Sequence, residues 1–162
     1  MQSPLHKLVL LSIVAIAGCQ GSPPKPPPPD EVTAGSTLTV KTPFTIPAGQ
    51  SGVYFQDNQL QKRADLDAGF PYCHFALGKA TPNARTVGPQ SFMVKNIEFD
   101  EDADGAKGGY SSITRLNLMY GNLSSAPTIR CRLPGGADSR RFVTPAEIVG
   151  AMGAYFDLKI PQ

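Results

Sequence analysis

The sequence predicts a mainly β domain, an antiparallel β-sandwich or partly open barrel over residues 32–162 with one short C-terminal helix. Three observations lead there. Apolar residues alternate with polar ones over short stretches, which places them on one face of extended chain. Many of the 16 prolines and 16 glycines fall between those stretches, where they act as punctuation. One segment near the C-terminus carries helix-start residues and an apolar stripe at helical spacing.

Leu38 and Val40 alternate with Thr37, Thr39 and Lys41; Phe44 and Ile46 follow between Pro43 and Pro47; Val53 and Phe55 alternate with Tyr54 and Gln56. The intervening prolines predict edge or bent strands, because proline donates nothing to a ladder. In Tyr72–Leu77, Cys73, Phe75 and Leu77 share one face while Tyr72, His74 and Ala76 share the other. Phe92–Phe99 is β-rich but alternates imperfectly, which predicts a bulge or a strand buried on both faces near its start.

Ile113–Tyr120 puts Leu116, Leu118 and Tyr120 opposite Arg115 and Asn117, and Thr128–Leu133 puts Ile129, Cys131 and Leu133 opposite Arg130 and Arg132. The link Gly121–Ala126 suits a hairpin between them. With both apolar faces on one side, Leu116 is expected beside Cys131, Leu118 beside Ile129, Arg115 beside Arg132 and Asn117 beside Arg130.

Leu133–Arg141 reads as an exposed loop with a solvated basic pair. Thr144-Pro145-Ala146-Glu147 then forms a capping box with proline at the first helical position. Ile148, Met152 and Tyr155, with Val149 and Phe156, supply the stripe that packs on the sheet. Leu158 and Ile160 suggest a last strand before Pro161, and no internal repeat is visible.

At 162 residues the chain suits one domain. Fifteen basic against 13 acidic residues, a net charge of +2, argue against a charge-driven nucleic-acid binder. The first residues differ from the rest: His6 and Lys7 precede the apolar run Leu8–Ala17, too short to cross a bilayer permanently but shaped like a secretory signal.

That run ends in Ile16-Ala17-Gly18-Cys19, which resembles the lipobox of bacterial lipoproteins. The resemblance implies a signal peptide over residues 1–18, an acylated Cys19 at the mature N-terminus, and the membrane as a partner through the anchor. Several acyl chains hold a protein stably where one does not. Family members retained at the inner membrane of enteric bacteria carry Asp after the cysteine; Gln20 stands here, which implies a place at the outer membrane of the envelope.

Within residues 19–31, Pro23, Pro24 and Pro26–Pro29 surround Lys25 and predict a stiff polyproline II spacer of about 20 Å. The spacing of Ile46-Pro47-Ala48-Gly49, Val53-Tyr54-Phe55-Gln56 and Tyr72-Cys73 is similar to that of small Gram-negative lipoproteins, a resemblance that transfers no site residues.

With Cys19 assigned to lipid, two of the three cysteines remain, and export would place them in an oxidising compartment. A Cys73–Cys131 disulfide is therefore expected. A catalytic thiol would need a base, and His74, the histidine left after residues 1–18, is sent to the opposite face. Zinc would need more ligands than remain.

Two polar clusters invite chemistry. Arg115, Asn117, Arg130 and Arg132 would share the outer face of the hairpin, either as a solvated surface or as a contact for a small anion or polar glycan. Asp100-Glu101-Asp102-Ala103-Asp104-Gly105 supplies half of a calcium loop through Asp100, Asp102 and Asp104. The closing position falls on Ser111 instead of Glu, and the preceding strand disagrees with an EF-hand, so an acidic hairpin competes with that reading.

No G-x-S-x-G, metal-ligand cluster or phosphate loop is present, and no cofactor is expected. Asp65 and Asp67 are close in sequence but sit in a polar loop. The expected role is thus non-enzymatic binding or structure at the cell envelope, with an envelope protein or glycan as partner. The alternatives are a surface antigen or adhesin and a carboxylate-based hydrolase of cell-wall glycan.

Overall fold

A computed structural model describes residues 31–104, 109–121, 126–134 and 141–161. Among the described residues ten strands and one α-helix follow one another: β1 Thr37–Val40, β2 Phe44–Ile46, β3 Gly52–Gln56, β4 Gln59–Gln61, β5 Tyr72–Ala76, β6 Arg85–Val87, β7 Ser91–Asp104, β8 Gly109–Met119, β9 Thr128–Leu133, α1 Pro145–Met152 and β10 Phe156–Lys159. Eight strands form one antiparallel sheet in the order β10-β1-β7-β8-β9-β5-β3-β4, curled into a half-barrel, and β2 pairs with β6 in a small second sheet. This is the partly open barrel of the two architectures expected.

The alternating residues build the core. Leu38, Val40, Phe55, Phe75, Phe92, Leu116 and Ile129 are buried and belong to one hydrophobic cluster. Phe44 of β2 sits at its centre, with its ring 5.3 Å from Phe55, 5.4 Å from Phe75 and 5.6 Å from Phe156. The first two contacts are edge-to-face, an arrangement favoured by the aromatic quadrupole.

Three expectations are corrected. β1 and β3 are interior strands, each paired on both sides, because Pro43 and Pro47 lie in the connections around β2 and remove no ladder donor. The β8–β9 register is shifted by two residues: Leu116 faces Ile129, Thr114 faces Cys131, Arg115 faces Arg130 and Asn117 faces Thr128. Alternation cannot distinguish registers two apart, and the Leu118 N–H, donating to the Pro127 carbonyl at 2.9 Å, extends the observed pairing by one more rung. Finally, the helix stops at Met152, so Phe156 opens β10, while Val149 is 46% exposed and lies off the buried stripe of Ile148, Ala151 and Met152.

Other expectations hold. β7 changes register between Val94 and Asn96, a bulge that moves its inward positions from Phe92 and Val94 to Ile97. The Thr144 hydroxyl accepts the Glu147 N–H, and the Glu147 carboxylate accepts the Thr144 N–H, completing the capping box. Cys73 and Cys131 are joined, with S–S 2.03 Å and Cα atoms 4.0 Å apart.

Candidate functional site

The disulfide defines more than a link. Cys73 lies directly across from Cys131 in the antiparallel pair β5–β9, so the flanking pairs must be His74 with Arg130 and Tyr72 with Arg132, all on the face turned away from the core. β3 places Tyr54 opposite His74, β8 places Arg115 opposite Arg130, and β7 places Glu98 opposite Arg115. One row therefore runs across five strands: Tyr54, His74, Arg130, Arg115, Glu98.

At one end of that row the aromatic groups pack together. The Tyr54 and His74 rings stack with centroids 4.4 Å apart and planes 27° from parallel, and Tyr72 meets Tyr54 edge-on at 6.2 Å. Gly52 makes room for this, since a Cβ there would lie 2.0 Å from the Phe75 carbonyl oxygen and 2.8 Å from His74 Nε2. Burial, then the charges of Arg130 and Arg63, push the His74 pKa below its ordinary value, so the imidazole is neutral near pH 7.

A covering loop completes the wall. The buried Gln56 side chain donates to the Asp67 and Phe70 carbonyls and accepts the Asp67 N–H, fastening the chain after β4 to the sheet. Arg63, in the single 3-10 turn Arg63–Asp65 of that segment, is thereby brought beside Tyr54 and His74. Arg85 supports the opposite side, donating to the carbonyls of Leu77, Gln50 and Ser51.

Two adjoining clefts result. A larger one, of about 600 Å³, is walled by apolar Pro47, Val53 and Leu60 and by polar Thr45, Gln50 and Gln61. A smaller one, of about 150 Å³, is bounded by Tyr72, Ile113, Arg130 and Arg132. Tyr54, Arg63 and His74 border both. Arg132 is held in place by Ser111 Oγ at 2.8 Å and the Tyr72 hydroxyl at 3.4 Å.

The predicted anion surface is thus divided. Arg130 and Arg132 join the smaller cleft, whereas Arg115 and Asn117 turn to Glu98, which accepts from them at 3.0 and 2.7 Å and from Asn96 at 3.2 Å. Glu98 relieves the like-charge pairing of Arg115 with Arg130. Arg132, expected opposite Arg115, lies opposite Ile113.

The acidic segment is not a loop, because Asp100–Asp104 continues β7 and pairs with Gly109–Ile113. Asp100 is exposed; the side chains of Asp102 and Asp104, and all of Gly105, lie outside the described residues. Asp65 and Asp67 are exposed, and Asp67 accepts the Gly69 N–H. Among the described residues no group of three metal-ligating side chains occurs, and no helix is long and apolar enough to cross a membrane. Cys19 and the proline-rich segment lie outside the described residues.

Neither Tyr54 nor Arg63 stands out as a site residue in the sequence. Tyr54 is signalled only through pairing: once the disulfide is accepted, antiparallel pairing itself sets His74 beside Arg130, and the Tyr54 strand needs only to be its neighbour. Arg63 lies in a segment without periodicity and carried no such signal. No protein-family model, curated protein or solved structure matches the chain.

Proposed function

We propose that the protein is a lipid-anchored component of the bacterial cell envelope, acylated at Cys19, whose β domain has a non-enzymatic binding role. The observation that carries this reading is the ordered sequence of charged start, apolar run, Ile16-Ala17-Gly18-Cys19 and proline-rich spacer. The disulfide supports it, because such bonds persist in compartments outside the cytosol. The outer face of the half-barrel supports binding, with a recess that combines stacked aromatic rings and cationic side chains.

Fractionation of cells making the Cys19→Ala variant tests the proposal. The intact chain is expected in the membrane fraction and to incorporate labelled palmitate; the variant should lose the label. Equal labelling of both would overturn it.

A further inference from the structure

The geometry points to a binding site for an acidic saccharide at the junction of the two clefts, with a sugar ring against Tyr54 and His74 and its acid group at Arg130 and Arg63. This deepens the binding role proposed above and rests on the domain alone, not on its anchor.

The two ends of the recess ask for different chemistry. The larger cleft has apolar walls interrupted by amide and hydroxyl groups, and a sugar offers the matching combination of C–H faces and hydroxyls. The stacked Tyr54–His74 pair supplies a rigid aromatic edge to that cleft. Gly52 and the Gln56 clamp fix the pair and the covering loop, so the recess is preformed and needs little ordering on binding.

The smaller cleft supplies charge. Neither Arg130 nor Arg63 has an acidic partner among the described residues, unlike Arg115 in the same row, which Glu98 neutralises. Guanidinium groups pair with carboxylate or phosphate through paired N–H donors. A neutral His74 beside them can donate or accept a further hydrogen bond without adding repulsion. A nucleic-acid strand is a poorer fit, because it needs a longer run of cationic contacts than this recess presents.

Titration calorimetry of the full chain in detergent tests the site with four probes: a uronic-acid trisaccharide, a hexose phosphate, a neutral trisaccharide and inorganic phosphate. Binding of either acidic sugar in preference to both the neutral sugar and phosphate is expected, and the better of the two identifies the acid group. Arg130→Gln and Tyr54→Leu should each weaken that binding about tenfold or more. Arg115→Gln should leave it unchanged. The inference is overturned if neither acidic sugar binds, if the neutral sugar or inorganic phosphate binds as well, or if Arg130→Gln and Tyr54→Leu bind like the parent. An intact chain that takes up no palmitate, or no more than the Cys19→Ala variant, would instead overturn the anchor and leave this site standing.

Discussion

Asn58 clasps Ala154, its side-chain oxygen accepting the Ala154 N–H at 2.8 Å while its own N–H donates to the Ala151 carbonyl at 3.0 Å. Asn58 lies in the two-residue turn between β3 and β4, and Ala154 lies between α1 and β10. Since β4 and β10 are the two edges of the sheet, these bonds tie the open sides of the half-barrel to each other and satisfy a carbonyl at the end of the helix. The turn has φ of 52° at Asp57 and 60° at Asn58, the conformation for which Asn is favoured in tight hairpins.

Asn58→Ala should therefore lose both the backbone preference and the side-chain bond, lowering stability by about 2–3 kcal/mol. Asn58→Gly keeps the backbone conformation and loses only the bond, for about 1 kcal/mol. Chemical denaturation of the two variants checks this, and equal midpoints would refute the division.

Gly52→Ala should be among the most damaging small substitutions, at about 3 kcal/mol, because its Cβ would meet the Phe75 carbonyl and the Ala76 Cα of the paired strand. Gly88→Ala, where nothing lies within 4 Å, should change stability by less than about 0.5 kcal/mol. Thermal melts of the pair compare the two sites directly. A Gly52→Ala protein that melts with the parent would show that the close strand approach is not required.

Glu147 carries a pH dependence. Its carboxyl is held down to about 2, first by the Arg141 guanidinium, bonded to both its oxygens at 2.8 and 2.6 Å, and then by the Thr144 N–H and hydroxyl. A lowered folded-state pKa stabilises the fold above the ordinary glutamate value of 4.5, and that contribution fades as pH falls toward 2. Glu147→Gln should cost about 1 kcal/mol at pH 7 and almost nothing near pH 2. Stability curves against pH read the difference; a gap independent of pH would contradict the assignment.

Cys73 and Cys131 close a loop across a sequence separation of 58 and are both buried. Reduction should lower stability by about 4 kcal/mol in chain-entropy terms. The measurement is a denaturation curve with and without reductant, alongside thiol alkylation of the unreduced, unfolded chain. Superimposed curves, or ready alkylation of both cysteines before reduction, would remove the bond from the account.

Much of this fold is legible wherever one face is wet and the other dry. Leu38 with Val40, Cys73 with Phe75, and Ile129 with Cys131 declare their faces by alternation alone, and Thr144 with Glu147 declares the helix start. Asp100–Asp104 does not, because acidic residues have little strand preference of their own and enter β7 only through pairing with β8. The Arg130–Arg115 pairing was hidden for another reason: a two-residue slip leaves every side chain on the same face. The site shares that difficulty, since Tyr54, His74 and Arg63 come from separate segments and are joined by register and by the Gln56 clamp, neither of which periodicity encodes.

The anchor is tested most directly by peptide mass spectrometry of the chain isolated from membranes. The mature N-terminus should be Cys19 carrying fatty-acyl mass, with residues 1–18 removed. A chain that retains those residues, or that begins elsewhere with Cys19 unmodified, would contradict the account.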